Sequence, residues 1–303
     1  MDKIISIGIL GTASIAKRFV IPAIQAMPEY YYLTGVSSRG LLKAKKYAEE
    51  FNIKPIEGYD KLINSDDIDA VYIPLPNNLH ADYIEKALNK GLHVIVEKSL
   101  ACHYADALRL NNLAKKRGLV LYENFQFRFH NQTTQILEMV RNGLIGELRA
   151  MRSSFGFPPF SDEDNIRYQK ELGGGALLDA GAYTIMASQL FLGKELTVKA
   201  ANLFTDSSLG VDIWGGGYLT QQNGKLFSEV AFGFDNHYQC GIELWGSEGK
   251  LTTNRLFTAP PGFKPTVEIE TYKGKENIQM KEDNHFEKML IHFYNLVTSG
   301  KNV

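Results

Sequence analysis

Three side chains in this sequence have the type and setting for acid–base work on a carbonyl or an alcohol: Lys98, Asp179 and Tyr183. Lys98 follows His93-Val94-Ile95-Val96-Glu97, an apolar run that reads as a buried strand. The carboxyl end of a parallel strand is where ligands gather in open α/β sheets. An ammonium there donates to a substrate oxygen and stabilises a neighbouring phenolate. A lysine at a strand end also serves simply to return its charge to water. Asp179 and Tyr183 stand four apart after Gly173-Gly174-Gly175, so on a helix they share one face. The glycines let backbone come close to another group. A phenol titrating at about 10 is an acid at neutral pH, suited to protonating a carbonyl oxygen as hydride reaches the carbon. The same spacing describes a core tyrosine beside a capping aspartate.

A second constellation points to a nucleotide. Gly11-Thr12-Ala13-Ser14-Ile15-Ala16 lies between the first apolar run, 4–10, and the first amphipathic stretch, 14–27. Gly11-x-Ala13-x-x-Ala16 occupies the place of a dinucleotide fingerprint, with alanine at its second glycine. Small residues admit a pyrophosphate close to the backbone, and the helix start offers free N–H groups and a positive dipole end. A plain strand–helix turn uses the same residues. The second strand ends at Val36-Ser37-Ser38-Arg39. NAD-selective sites place an acidic residue there for the ribose 2′-hydroxyl, whereas hydroxyls and an arginine suit a 2′-phosphate. This predicts NADP rather than NAD, the alternative being a solvated loop arginine. His80 and His130 are either acid–base groups or structural histidines at helix starts. No His/Cys/Asp/Glu cluster has metal-ligand spacing and no serine sits in a nucleophile elbow, so no metal and no acyl transfer are expected.

The elements that must position these groups follow from periodicity. Strands are predicted at 4–10, 33–37, 70–75, 93–96 and 119–123, and helices at 14–27, 42–51, 79–90, 104–117 and 131–141. Strand–helix alternation means βαβ units on a parallel sheet. Near Gly146 the pattern changes to period two, with strands within 147–155, 198–204, 226–234, 238–245 and 267–272. Helices at 175–192 and 283–297 complete the set. The fold class is a Rossmann-like α/β parallel sheet plus an α+β domain with an open, mostly antiparallel sheet. The division is 1–125 for the dinucleotide-binding domain and 126–303 for the substrate and oligomerisation domain, with the last helix free to fold back on the first.

Composition narrows the class. The 303 residues carry 33 basic and 34 acidic side chains, a net charge of -1, against the basic excess of a nucleic-acid binder. Two cysteines, Cys102 and Cys240, exclude a disulfide framework and suit a reducing compartment. The start of the chain lacks the apolar stretch and cleavage site of a signal peptide. No segment reaches membrane-spanning apolar length. A cytoplasmic globular protein without membrane partners is expected.

The ordered set of Gly11, Ser38-Arg39, Pro76-Asn77-x-x-His80, Glu97-Lys98, Arg128-Phe129-His130-x-Gln132 and Gly173-Gly174-Gly175…Asp179-x-Gly181…Tyr183 resembles the glucose–fructose oxidoreductase/inositol dehydrogenase (Gfo/Idh/MocA) family over nearly the whole chain. The family's Glu-Lys-Pro motif falls on Glu97-Lys98-Ser99, keeping the lysine and losing the proline. Tyrosine at 183, where many members carry histidine, resembles the branch of nucleotide-sugar 3-ketoreductases and NADP-linked sugar or diol dehydrogenases; Asn165-Ile166-Arg167 fits the same branch. The resemblance implies a catalytic pair of Lys98 and Tyr183, with Asp179 orienting or binding substrate. It places Gly11, Thr12, Ala13, Ser14, Ile15, Ser38, Arg39, Leu75, Pro76, Asn77, His80, Glu97 and Lys98 against the cofactor. Arg128, Asn165, Arg167 and Asp179 would face the substrate. It implies an NADP(H)-dependent oxidoreductase of a sugar or nucleotide-sugar, with an NADP-dependent aldose or diol dehydrogenase and an NAD-dependent glycoside hydrolase as competitors. A homodimer or homotetramer through the second sheet is the implied assembly, and members usually continue for another helix after the last one here.

Overall fold

The structure, a computed structural model, describes residues 3–162 and 164–300. The chain divides into two compact units, one formed by Met1–Phe125 with Phe286–Val303 and one by Gln126–His285.

The first unit carries six strands: β1 (Ile5–Leu10), β2 (Tyr31–Ser38), β3 (Lys54–Glu57), β4 (Ala70–Ile73), β5 (His93–Glu97) and β6 (Leu121–Asn124). Their order is β3-β2-β1-β4-β5-β6 and every pair is parallel. Parallel strands need crossovers, and these are helices α1 (Ile21–Gln25), α2 (Leu41–Phe51), α3 (Tyr59–Ile63), α4 (Asn77–Lys90) and α5 (Tyr104–Arg117). A π-helical turn, Ala16–Val20, leads directly into α1. All four residues of β4 are buried, which explains its unbroken Ala70-Val71-Tyr72-Ile73. Leu62, Val71, Ile73, Ile84, Val94 and Leu110 form the centre of one core layer. Strand order reverses between β1 and β4, and in doubly wound sheets ligands bind at the carboxyl ends of the strands at such a switch point.

In the second unit, strands β7 (Leu148–Gly156), β8 (Leu196–Thr205), β9 (Asp212–Gln221), β10 (Phe227–Gly233), β11 (Gln239–Gly246), β12 (Gly249–Thr253), β13 (Thr266–Thr271) and β14 (Gly274–Gln279) form one sheet. The order is β14-β13-β12-β11-β7-β10-β9-β8, antiparallel except for β7 with β10. Helices α6 (Asn131–Arg141) and α7 (Ala182–Leu192) belong to this unit, and a π-helical turn, Leu177–Gly181, precedes α7. One sheet face is covered by α7, where Ser188 Oγ meets Ser228 Oγ of β10 at 2.8 Å. The opposite face is open. A row of paired residues crosses it, Tyr218–Glu229–Arg152–Glu243, in which Arg152 donates to Glu229 at 2.6 Å and to Glu243 at 2.9 Å.

The last helix, α8 (His285–Ser299), packs in the first unit, apart from the residues that the 126–303 division groups with it. Its apolar stripe has partners there. Phe286 stacks on Phe19 with ring centroids 4.8 Å apart, and Phe293 meets Tyr122 at 6.3 Å. Tyr31 donates its hydroxyl to the Leu290 carbonyl at 2.6 Å. Burial pushes the Tyr31 pKa up, so the phenol remains a donor. Phe293 is fully buried. Phe293→Ala is therefore expected to destabilise the protein by about 3–5 kcal/mol in urea unfolding; a loss well under about 1 kcal/mol would show that α8 is not part of this core.

Candidate functional site

In the first unit the glycine turn is tightly held. Gly11 follows β1 with φ +108°, a conformation that side chains avoid, and its N–H donates to the Ser37 carbonyl at 2.9 Å. A Cβ at this position would stand 2.9 Å from Leu75 Cδ2. Tyr47 of α2 donates its hydroxyl to the Ala13 carbonyl at 2.9 Å. Helical structure begins at Ser14, which is exposed, while Thr12, Ala13 and Ile15 are half-buried. The turn thus presents short side chains and helix-start N–H groups at the switch point, which fits a pyrophosphate.

The end of β2 is differently built from what its composition suggests. The Ser37 hydroxyl is spent on the Ile9 carbonyl at 3.3 Å, and Ser38 is 4% exposed. Arg39 alone of the three is exposed. Its charge acts on Tyr59: burial raises that phenol's pKa and the arginine draws it partly back. Tyr59 was not among the residues singled out from sequence. Nothing in local spacing marks it, because only the pairing of β2 with β3 brings it alongside.

Leu75, Pro76 and Asn77 form the turn from β4 into α4, with Pro76 at the N-cap. His80 is fully buried, one ring nitrogen 2.7 Å from the Leu75 carbonyl and the other 2.7 Å from the Ser99 carbonyl. Burial holds its pKa below the usual histidine value and the Lys98 charge adds to this, against the two carbonyl acceptors. His80 thus clamps the turn after β4 to the segment after β5. Glu97 is buried, and its Oε1 accepts from Tyr72 at 2.7 Å and from Asn124 at 2.6 Å. These bonds tie the end of β5 to both neighbouring strands. Lys98 follows immediately and is half-buried. The Lys98–Ser99 peptide is cis, and Glu123 accepts from the Leu100 N–H at 2.7 Å. The close approach of the His80 ring to the Ser99 carbonyl and the Leu100 N–H bond to Glu123 therefore hold the segment where the resemblance puts a proline.

In the second unit the structure brings Asn165, Arg167 and Asp179 together. Asn165 Oδ1 accepts from the Arg167 N–H at 3.1 Å, capping a short 3₁₀ turn. Arg167 Nε donates to Asp179 Oδ2 at 2.5 Å, and the guanidinium lies 4.8 Å from the centre of the Phe160 ring. Such a fork, held through Nε and one face, keeps its terminal nitrogens for another acceptor. The glycine triplet is what lets this loop close. The Gly175 N–H donates to the Arg167 carbonyl at 2.9 Å, and a Cβ on Gly174 would collide with that carbonyl. Asp212 accepts from the Leu177 N–H at 2.6 Å at the start of the π turn that carries Asp179. Tyr183, 7% exposed, opens α7 amid Phe127, Phe155 and Phe257 at ring distances of 5.9, 5.2 and 5.7 Å. Arg128 is exposed on the turn after β6. Among the described residues no group of His, Cys, Asp and Glu is placed to hold a metal ion. No helix among them is long and apolar enough to cross a membrane.

Residues 5–125 match the family described as an oxidoreductase family with an NAD-binding Rossmann fold, and residues 133–252 match the GFO/IDH/MocA C-terminal domain. The chain is 40% identical over 298 residues to dTDP-3,4-didehydro-2,6-dideoxy-alpha-D-glucose 3-reductase of Actinomadura kijaniata, covering 98% of this chain and 89% of that protein. It is 35% identical over 255 residues to D-xylose 1-dehydrogenase (NADP(+)) 2 of Haloferax volcanii, covering 84% and 77%. The crystal structure of a 3-ketoreductase from Actinomadura kijaniata with NADP and TDP-benzene superposes with a TM-score of 0.95 at 40% identity, covering 99% of this chain and 91% of that one. By sequence in both halves and by fold, the chain belongs to the GFO/IDH/MocA family of oxidoreductases.

Proposed function

We propose that this protein is an NADPH-dependent reductase of a keto-sugar carried on a nucleoside diphosphate. The observation that carries the reading is the near end-to-end likeness, in sequence and in fold, to dTDP-keto-sugar 3-reductases. Solved structures of the Actinomadura ketoreductase include variants with one lysine replaced by alanine or glutamate and one tyrosine replaced by phenylalanine. When bound, the dinucleotide supplies the hydride. The chain supplies position and protons. The Gly11–Ile15 turn takes the pyrophosphate, Arg39 takes the 2′-phosphate, and the turn Leu75–Asn77 with the His80 clamp borders the nucleotide. Tyr183 is the acid that protonates the carbonyl oxygen as it is reduced, and the Lys98 ammonium stabilises the phenolate left behind. Asp179 holds Arg167, whose terminal nitrogens take an anionic group of the substrate, and Asn165 and Arg128 are assigned to substrate binding as well. The direction opposite to reduction, NADP-dependent oxidation of an aldose, is the second reading, supported by the likeness to the xylose dehydrogenase.

Copies of the chain are proposed to associate through the open face of the second sheet, where Trp214 is 42% and Trp245 50% exposed. A cytoplasmic place is proposed for a protein with this chemistry.

Arg39→Asp is expected to weaken NADPH binding by about ten- to a hundredfold while NADH binding changes little, the loss of a charge-assisted contact. Equal losses in calorimetric titration would remove Arg39 from the 2′-phosphate. Tyr183→Phe should lower turnover of a dTDP-3-keto sugar by roughly two to four decades with cofactor affinity retained, and Lys98→Ala should be nearly inactive as well; near-normal turnover would place the acid elsewhere. Trp214→Glu with Trp245→Glu should yield a smaller species in sedimentation velocity, whereas an unchanged sedimentation coefficient would move the interface off this face.

A further inference from the structure

A glycine turn holds a pyrophosphate with backbone, so whatever orients that backbone bears on binding. In the Gly11–Ile15 turn the Gly11 N–H is already taken by the Ser37 carbonyl at 2.9 Å. The donors that serve an anion are those of the helix start, which have no partner within the helix. The Ala13–Ser14 peptide joins the turn to that start, since helical structure begins at Ser14. Its carbonyl accepts two bonds. One comes along the helix from the Lys17 N–H at 3.2 Å, and one comes from outside it, from the Tyr47 hydroxyl of α2 at 2.9 Å. The peptide is planar and trans, so the Ser14 N–H points opposite to this carbonyl. A donor that pins the carbonyl on one side aims the N–H on the other and polarises it. Tyr47 is well placed to pin it. The ring is buried and lies 5.7 Å from that of Phe51, four residues on in α2. Beside it the Lys17–Glu50 ion pair, at 2.6 Å, ties the same helix start to α2. α2 begins at Leu41, directly after Arg39-Gly40, so one helix runs from the arginine to the hydroxyl at the turn.

We propose that Tyr47 is a positioning residue for the pyrophosphate of the cofactor, its hydroxyl holding the Ala13 carbonyl so that the Ser14 N–H faces a phosphate oxygen. The inference rests on the dinucleotide reading of the Gly11–Ile15 turn. Burial pushes the Tyr47 phenol pKa up and the Glu50 charge adds to this, so the group is a donor at neutral pH. The pyrophosphate is common to NADPH and NADH, whereas the 2′-phosphate falls to Arg39. Tyr47 therefore sets the affinity for both dinucleotides and leaves the preference between them untouched. A nucleotide with a 2′-phosphate and no 5′-phosphate should not sense it.

The test is Tyr47→Phe, which keeps the buried ring and its contact with Phe51 and removes the hydroxyl alone. The Ala13 carbonyl keeps its bond from Lys17, so no buried acceptor is left without a partner. Binding of NADPH, NADH and adenosine 2′-monophosphate is measured by calorimetry on wild type and variant. The expected result is an affinity lower by about fivefold for NADPH and for NADH alike, with their ratio and the affinity for adenosine 2′-monophosphate unchanged. A merely structural tyrosine would shift all three ligands together or none, and either outcome overturns the proposal. A loss confined to NADPH would give Tyr47 to the 2′-phosphate and overturns it too. A wild-type protein that binds neither dinucleotide overturns the reading of the turn itself, and this inference with it. Wild-type binding of both that survives Tyr47→Phe overturns only the role of the hydroxyl.

Discussion

A side chain at position 11 would be strained at φ +108° and would press on Leu75, and the geometry of the glycine turn follows from that. The Gly11 N–H must reach the Ser37 carbonyl across the β1–β2 pair while the turn passes under Leu75 at the end of β4. Only a residue without Cβ does both at φ +108°. The consequence is a helix start delivered to the point where strand order reverses, the place where a doubly wound sheet binds its ligand. Tyr47 braces this turn on Ala13 and Ser37 on Ile9, while His80 joins the segments after β4 and β5.

A comparable logic governs the second unit, with charge in place of phosphate-ready backbone. Arg167 is half-exposed, yet its guanidinium is held by a carboxylate and an aromatic face. Those restraints remove much of the entropy that a free arginine would lose on binding an anion. The glycines of the triplet act indirectly, by letting the Arg167 loop close against the π turn that bears Asp179. Short π-helical turns inside helices are costly and recur at functional positions, and this chain has one at each candidate site, Ala16–Val20 and Leu177–Gly181.

Much of the molecule was legible one residue at a time. The helices at 104–117 and 131–141 agree with the structure because their amphipathic period, caps and glycine stops all point the same way. Strand β9 was passed over because Trp214-Gly215-Gly216-Gly217-Tyr218 has no side chains to alternate at its centre, so period two vanishes. The short β3 and α3 offered too few residues for a period, and Tyr59 went unnoticed with them. The glycine triplet was read as letting backbone come close to another group, and only the fold shows that those groups are the Arg167 carbonyl and the Asp212 carboxylate.

What the amino-acid order determined by itself is the set of chemical groups and the local frames that carry them: a glycine turn before a helix, an arginine after a strand, a lysine at a strand end, an aspartate and a tyrosine one helical turn apart. Those depend on backbone preferences and on neighbours close in the chain, which a sequence states directly. Which groups remain available was decided only in three dimensions. Ser37 is consumed by β1, Glu97 by Tyr72 and Asn124, and the Arg167 Nε by Asp179. Hydrogen-bond capacity is finite, and a partner distant along the chain claims it only after strands have paired and buried polar atoms must be satisfied.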